Sequence, residues 1–312
     1  ALPELRRLGY SGALSTGALA AGGTLGILIP PSVILIIYAI LTEQNIAKMF
    51  LCAFIPGIIA AIGYILAIAI YVRINKNAGP TNERVEWKQR LHLFKNIWHI
   101  LLIFLVMIGG IYLGFFTPTE GAAVGAAGTG LIAVFNKKFN FFSFLDVVQS
   151  TAITSGMIFL VLLGAEFFNS FIALSQLPNI LAELTVKHQL TPMIVVASIL
   201  ILYILLGCLM DSLAMILLTI PVFFPLVMTL DFGMTPEETA IWFGILTLIT
   251  VEVGLITPPV GLNVFIINKM AGDVKISETF KGVMPFLLSD FARVILLFFF
   301  PSITLVMLKI FY

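Results

Sequence analysis

The sequence predicts an all-α polytopic membrane protein built on an inverted repeat, with two broken transmembrane helices and a re-entrant hairpin. Three observations lead to this fold class. The 312 residues are 60% hydrophobic and only 11% charged, with a mean hydropathy of +1.10, whereas charged residues make up about a quarter of a soluble domain. One long apolar stretch is interrupted at residues 22–32 by the sequence G-G-T-L-G-I-L-I-P-P-S. A similar interruption occurs once more, near the other end of the chain.

The first interruption predicts a helix break. Pro31 lacks the N–H group that a helix needs, and Pro30 disfavours helical geometry in Ile29. We expect the glycines of this segment to be unwound as well. Within a bilayer, irregular backbone is tolerated only where it is buried in protein or lines a polar cavity. For a single break, the alternative is a spanning helix kinked by proline that binds nothing.

The second copy favours a binding site over a simple kink. Residues 26–31, G-I-L-I-P-P, correspond to residues 254–259, G-L-I-T-P-P, which lie 228 positions further along. Downstream of each copy a proline follows, at Pro56 and Pro285. Paired Gly/Pro interruptions in corresponding positions of two halves are typical of secondary transporters, which bind ions and substrate at such breaks.

The remaining elements follow in order along the chain. We expect full or partial spans at residues 11–41, 46–72, 97–116, 122–135, 151–174 and 283–308. The strongly basic loop 73–95 is predicted to be cytoplasmic by the positive-inside rule. Residues 139–150 are predicted to be a separate amphipathic segment at the interface, and residues 177–190 an amphipathic external connection. The glycines of the 122–135 span permit close helix packing.

Residues 191–230 allow two interpretations. This apolar stretch of about forty residues is interrupted at 207–212 and could make two full crossings or one re-entrant hairpin. We favour the hairpin because Asp211, placed at a turn within the membrane, is costly unless it serves a polar site. Residues 236–269 then form the second broken helix, which crosses in the opposite direction to the first.

These elements divide the chain into five predicted regions, and their assignment to a transport domain, a scaffold or a first hairpin is what the family resemblance described below implies. They are 1–45, the end of a first hairpin and the first broken helix, in a transport domain; 46–150, scaffold helices with the basic loop and the interfacial arm; 151–190, a span and an external connection; 191–270, the second hairpin and second broken helix, again in the transport domain; and 271–312, the last scaffold span.

Sodium is the cation that the broken segments are predicted to bind, because it needs several oxygen ligands and the unwound carbonyls and nearby hydroxyls supply them. The first set of candidate donors is Gly22, Gly23, Thr24, Gly26 and Ile29. The second set is Gly207, Asp211, Ser212, Thr250, Val253, Gly254 and Thr257. Helix N-termini that face the same cavity favour an anion such as a carboxylate. For each small residue, plain helix packing is the alternative.

Other polar residues have simpler interpretations. Asp290 and Arg293 are three residues apart on one span and are expected to neutralise each other. Glu252 is either an ion or proton ligand or a satisfied polar residue at a helix contact. Glu120 is expected to be a charge at a helix N-terminus, and both cysteines, Cys52 and Cys208, are expected to be small core residues. The net charge of +1 does not suggest a nucleic-acid partner.

Four motifs resemble the large membrane subunit of the tripartite ATP-independent periplasmic (TRAP) transporters. They are P-E-L-R-R-L-G-Y at 3–10, the segment at 22–32, F-T-P-T-E-G-A-A-V-G at 116–125 and G-L-I-T-P-P-V-G-L-N at 254–263. The chain is more remotely similar to the divalent anion/sodium symporters. A stand-alone symporter of that kind is the alternative function. An intramembrane enzyme is disfavoured because no H-E-x-x-H or G-x-S-x-G motif is present.

The resemblance implies an elevator mechanism in the bacterial inner membrane, with Na⁺ as the coupling ion and no other cofactor. It implies three partners: a small membrane subunit (Q-type), a periplasmic substrate-binding protein and a carboxylate substrate, sialic acid or a C4-dicarboxylate. Membrane lipid surrounds the assembly. The residues onto which substrate binding carries over are Pro30, Pro31, Ser32, Pro258, Pro259 and Asn263. The family's first hairpin is expected to precede Ala1, so the chain alone is not expected to transport.

Overall fold

The computed structural model describes residues 1–80, 98–136 and 139–311, and within these ranges it contains helices and connecting turns but no strands. Fourteen helices are described. They are α1 (Leu2–Arg7), α2 (Gly12–Leu28), α3 (Val33–Leu41), α4 (Ile46–Ile74), α5 (Trp98–Tyr112), α6 (Pro118–Phe135), α7 (Phe141–Ser175), α8 (Leu177–Lys187), α9 (Pro192–Gly207), α10 (Ser212–Met228), α11 (Pro236–Ile256), α12 (Leu262–Ala271), α13 (Ile276–Phe299) and α14 (Pro301–Phe311).

Four of these helices are long and apolar enough to cross a membrane: α4, α7, α11 and α13. The pair α2 and α3, bent by 40° at the first break, makes a fifth span if it is counted as one. These counts cover only the part of the chain that the structure describes. The predicted all-α, multi-pass membrane character is therefore confirmed. The chain divides into two compact units, Ala1–Pro80 with Ala165–Tyr312, and Thr81–Gly164.

The helix α11 forms the centre of the first unit. Every residue from Thr239 to Ile256 is buried, as expected of a helix that is apolar all round. The helices α2, α9, α10 and α13 pack against it. The indole of Trp242 donates a hydrogen bond to the carbonyl of Leu297 at 3.0 Å. The second Pro-Pro break is thus attached to the most buried helix of the unit.

The helices α2 and α13 approach each other closely at two glycines. A Cβ atom on Gly17 would collide with the backbone of Gly282, and one on Gly282 would collide with the carbonyl of Ala13. Beside this contact the hydroxyls of Thr16 and Thr279 lie 3.1 Å apart. Small residues allow membrane helices to pack with their backbones in near contact, and here they join the first broken helix to the helix that follows the second broken helix.

The two predicted repeats have the same order of elements. The first runs α2, break, α3, α4, and the second runs α11, break, α12, α13. The long last helix of each contains an internal proline, Pro56 or Pro285. Both breaks contain a cis Pro-Pro peptide bond, Pro30-Pro31 and Pro258-Pro259. The sequence correspondence between residues 26–31 and 254–259 therefore extends to local structure.

The second unit shows the predicted glycine packing. The helix α6 begins with a capping box in which the Glu120 carboxylate accepts a hydrogen bond from the backbone N–H of Thr117 at 2.8 Å. This confirms Glu120 as a charge at a helix N-terminus. A Cβ on Gly121 would lie 2.8 Å from the side chain of Ile111 on α5, and one on Gly125 would lie 2.9 Å from the Met107 sulfur.

Two predicted boundaries are wrong. The interfacial segment 139–150 is not separate, because α7 runs without interruption from Phe141 to Ser175; this stretch contains no proline to stop it. The last span is not continuous, because α13 ends at Phe299 and α14 begins at Pro301. Pro301 lacks an N–H and restricts Phe300, which adopts φ −124° and ψ 72°. Most of the basic loop 73–95 lies outside the described residues.

Candidate functional site

The first break is shorter than the glycines suggested. The helix α2 continues to Leu28, so Gly22, Gly23 and Gly26 are helical rather than unwound. Only residues 29–32 leave the helix, and Ile29 is extended, with φ −75° and ψ 121°. The physical reason is that glycine lowers helix stability by about 1 kcal/mol but keeps its N–H, whereas the proline pair stops the helix outright.

Ser32 closes the first break. Its hydroxyl donates a hydrogen bond to the carbonyl of Ile27 and accepts one from the N–H of Leu35 at 3.3 Å, so it caps α3. The Ser32 side chain is buried and Pro30 is buried, whereas Pro31 is exposed. Of the substrate residues predicted at this break, Pro31 is therefore the one with an accessible surface.

The second break covers residues 257–261 and, unlike the first, is followed by a helix without a side-chain cap, because Gly261 precedes α12. The helix α11 ends at Ile256, and the Thr257 hydroxyl donates to the carbonyl of Val253 at 2.6 Å. The Thr250 hydroxyl donates to the carbonyl of Leu246 at 2.7 Å. A hydroxyl that donates still has lone pairs that can face a cation. Pro258 and Pro259 are both exposed.

The tip of the predicted hairpin connects two short helices. The helices α9 and α10 have 16 and 17 residues, which corresponds to about 24–26 Å at the helical rise and is short of a bilayer core of about 30 Å. The Tyr203 and Thr219 hydroxyls, 2.7 Å apart, join the two arms. Asp211 is exposed at the tip and caps α10, and its Oδ1 accepts from the N–H groups of Leu213 and Ala214.

The tip of the hairpin and the second break are in direct contact. A Cβ on Gly207 would lie 2.8 Å from the Cα of Gly254, and the Cys208 thiol lies 3.6 Å from the carbonyl of Pro258. Asn263 lies near the first broken helix, because its amide nitrogen is 3.8 Å from the Cβ position of Gly23. The structure thus brings together Gly207 with Gly254, and Gly23 with Asn263, whereas the Oδ1 of Asp211 bonds only within its own helix.

A buried polar cluster lies beside these breaks. Arg293 donates to Asp290 at 2.9 Å and to Glu252 at 3.3 Å. The Tyr64 hydroxyl donates to the other oxygen of Asp290 at 2.7 Å and lies 3.3 Å from the Thr24 hydroxyl. The predicted pairing of Asp290 with Arg293 is confirmed. Sequence reasoning missed Tyr64, although a tyrosine within an apolar span is a signal that could have suggested a buried polar partner.

The two cysteines are core residues, as predicted. Cys52 and Cys208 are buried, and both are free thiols. Among the described residues, no group of three or more histidine, cysteine, aspartate or glutamate side chains could hold a metal ion.

Two broken apolar helices, one of which contacts the tip of a short helical hairpin, are typical of multi-pass membrane transporters. The family model described as "Tripartite ATP-independent periplasmic transporter, DctM component" matches residues 1–303. The chain therefore belongs to the DctM family of the TRAP transporters, as the motifs suggested. Members of this family are transporter permeases and not enzymes.

Curated relatives agree with this assignment. The chain is 32% identical over 98% of its length to the C4-dicarboxylate TRAP transporter large permease protein DctM of Pseudomonas aeruginosa, and it covers 70% of that protein. It is 32% identical to the sialic acid TRAP transporter permease protein SiaT of Haemophilus influenzae over 97% of the chain, and it spans 48% of that relative's length. It is 29% identical over 99% of its length to the sialic acid TRAP transporter large permease protein SiaM of Vibrio cholerae, of which it covers 71%.

Proposed function

We propose that this chain is part of the large permease of a Na⁺-coupled secondary transporter, which imports a carboxylate solute delivered by a periplasmic binding protein. The observation that carries the proposal is the contact of the hairpin tip with the second broken helix, where Gly207 meets Gly254, together with the approach of Asn263 on α12 to Gly23 on α2. Family membership supports transport by the whole permease.

Each break presents two kinds of helix end. The C-terminal carbonyls of α2 and α11 carry partial negative charge, which favours a cation, whereas the N-termini of α3 and α12 carry partial positive charge, which favours an anion. Three threonines, Thr24, Thr250 and Thr257, add hydroxyl oxygens near these ends. This combination of partial charges and hydroxyl oxygens fits a Na⁺ ion beside a carboxylate. On these grounds we propose both sets of predicted residues as the Na⁺ ligands.

For the substrate we propose a carboxylate of the C4-dicarboxylate or sialic acid type, because relatives that share about 30% of the sequence carry those names. Asn263 offers an amide N–H donor at the start of α12, and the exposed Pro258 and Pro259 leave the adjacent surface accessible. These three residues, with Pro31 at the first break, are the proposed substrate contacts.

The proposed partners are a periplasmic substrate-binding protein and a small membrane subunit of the Q type, in the bacterial inner membrane. The proposed motion is an elevator movement, in which the two breaks and the hairpin move together past a fixed scaffold. The contact between Gly207 and Gly254 supports their moving as one body, because there is no space between the two backbones for relative sliding without separation.

Uptake of a labelled carboxylate into liposomes that contain the complete membrane complex tests the proposal. We expect uptake only when both a Na⁺ gradient and the binding protein are present. Uptake driven by Na⁺ without the binding protein would identify a stand-alone symporter instead, and uptake that needs the binding protein but not Na⁺ would contradict the coupling ion. Two variants on α12 separate substrate binding from structure. Asn263→Ala removes a proposed substrate contact, whereas Asn268→Ala removes a structural asparagine, whose amide donates a hydrogen bond to the carbonyl of Val274 at 2.7 Å.

A further inference from the structure

Seven exposed basic side chains lie at one end of the first unit. They come from α1, from the end of α4, from the end of α12 and from the start of α13: Arg6, Arg7, Arg73, Lys76, Lys269, Lys275 and Lys281. The same segments contain three acidic side chains: Glu4, Asp273 and Glu278. Seven basic and three acidic groups give this surface a net charge of +4, whereas the whole chain has a net charge of +1.

Backbone and side-chain contacts hold these segments side by side. The guanidinium of Arg6 donates a hydrogen bond to the carbonyl of Ala271 at 2.7 Å and pairs with Asp273. The N–H of Ser11, just before α2, donates to the carbonyl of Ala78 at 3.0 Å, which places the chain after α4 beside the chain after α1. Stretches that are distant in sequence thus form one surface, which we call the basic end.

Most of the positive charge at the basic end is not neutralised by this chain. Arg6 pairs with Asp273, and Arg7 pairs with Glu4 at 2.5 Å. The other five basic side chains form no ion pair within the described residues. Like charges that share a surface repel one another, and an anion from outside the chain relieves this repulsion. The basic end is therefore suited to bind an anionic partner.

Exposed apolar side chains beside the charges indicate the kind of anion. Ile74 follows Arg73 in the chain and is 75% exposed, and Met270 follows Lys269 and is 73% exposed. In a multi-pass membrane protein, apolar and basic side chains meet in this way at the depth where acyl chains join the headgroups. A soluble polyanion would contact the charges but would leave both apolar side chains in water.

We propose that the basic end binds the phosphate headgroups of anionic phospholipids, with Lys269, Lys275 and Lys281 as the main contacts and Ile74 and Met270 against the acyl chains. A lysine ammonium binds a phosphate oxygen through a charge-assisted hydrogen bond. A zwitterionic headgroup brings its own positive charge to a surface that is already positive, so it binds more weakly. The bound lipids lie against α12, which follows the second break. This inference does not depend on the proposed coupling to Na⁺ or on the proposed substrate.

Displacement of a fluorescent phosphatidylglycerol from the purified complete complex in detergent tests the proposal. Unlabelled phosphatidylglycerol should displace the probe, whereas phosphatidylcholine with the same acyl chains should not. Inorganic phosphate separates a lipid site from a site for free anions, because it lacks acyl chains and should not displace the probe at the same concentration. Each basic side chain near an anionic surface strengthens binding by about fivefold. The triple variant Lys269→Gln, Lys275→Gln and Lys281→Gln should therefore bind the probe more weakly by on the order of a hundredfold.

Lys187→Gln is the matched control for the single variant Lys275→Gln. Both lysines are exposed, but Lys187 lies at the end of α8, outside the basic end. Lys275→Gln should weaken binding of the probe by about fivefold, and Lys187→Gln should leave it unchanged. Thermal unfolding midpoints of the variants should equal that of the wild type, because the substituted lysines are exposed. Equal displacement by phosphatidylcholine, equal displacement by inorganic phosphate, or wild-type affinity in the triple variant would each overturn the proposal.

Discussion

Tyr64 is one of the side chains that connect the two repeats through polar contacts. It lies on α4, yet its hydroxyl donates to Asp290 on α13 at 2.7 Å and lies 3.3 Å from the Thr24 hydroxyl on α2. The sequence pairs Asp290 with Arg293 because their spacing on one helix is fixed. It could not have placed Tyr64, whose partner is 226 residues away, because that proximity depends on how four helices pack.

Replacing Tyr64 by phenylalanine should destabilise the protein. The variant leaves a buried carboxylate oxygen of Asp290 without its donor, which costs about 1–3 kcal/mol. We expect a lower midpoint of thermal unfolding in detergent. Tyr71→Phe on the same helix is the control, because Tyr71 is only half-buried, and its change should be small. Equal midpoints for the two variants would show that the bond from Tyr64 to Asp290 contributes nothing.

Gly254 is the residue at which the hairpin tip and the second break meet. A Cβ at this position would lie 2.6 Å from the Cα of Gly207, a separation that real Cβ atoms do not adopt, and the obstructing atom is backbone. Gly254→Ala should therefore push the tip away from α11 and abolish uptake in liposomes, with the protein still inserted in the membrane. Gly156→Ala on α7, where a Cβ meets nothing within 4 Å, should retain uptake. Wild-type uptake by Gly254→Ala would mean that this contact is not required.

At the scale of elements, the two breaks show how far proline and glycine patterns can be interpreted. The Pro-Pro pairs correctly predicted that a break separates α2 from α3 and α11 from α12. The glycines at 22, 23 and 26 were expected to unwind but are helical, because the packing of the rest of α2 against α12 and α13 offsets the low helix propensity of glycine. The position of a break is thus local information, whereas its length depends on neighbouring helices that the sequence does not reveal.

Asp211 is predicted as a sodium ligand, and the structure also gives it the role of capping α10. The two roles can be separated by substitution. Asp211→Ala removes the cap and should lower stability by about 1 kcal/mol, whereas Asp211→Asn keeps a capping oxygen and should be nearly as stable as the wild type. If Asp211 also binds Na⁺, both variants should need more Na⁺ for half-maximal uptake. Unchanged Na⁺ dependence in Asp211→Asn would leave capping as its role.

At the scale of the whole molecule, apolar composition and the repeated breaks were enough to predict an all-α, multi-pass membrane protein. The start of α7 and the end of α13 were predicted wrongly. The amphipathic residues 141–150 belong to a helix of 35 residues, and Pro301 near the end of the last span was not interpreted as a stop signal. Of the polar cluster, only the pair of Asp290 and Arg293 was predicted, because these two residues lie on one helix. What sequence patterns miss here is packing between distant helices.

The proposed re-entrant placement of the hairpin makes a prediction for the whole transporter. Leu209 is 65% exposed at the tip between α9 and α10. In a complex with Cys52→Ala and Cys208→Ala, Leu209→Cys should react with a membrane-impermeant thiol reagent from the periplasmic side at a rate that changes when Na⁺ and substrate are added. The reason is that the proposed elevator movement would carry the tip between the two sides of the membrane. The measurement is the labelled fraction against time in intact cells.

Two exposed positions calibrate this labelling experiment. Asp231 follows α10 on the side predicted to be external, and Lys76 follows α4 at the start of the loop predicted to be cytoplasmic. Asp231→Cys should label at one rate under all conditions, and Lys76→Cys should not label from outside. If the labelling rate of Leu209→Cys stays constant, like that of Asp231→Cys, the tip remains on the periplasmic side. In that case α9 and α10 take no part in the movement. If the two breaks and the hairpin move as one body, the labelling rate of Leu209→Cys at the tip must change when substrate is added.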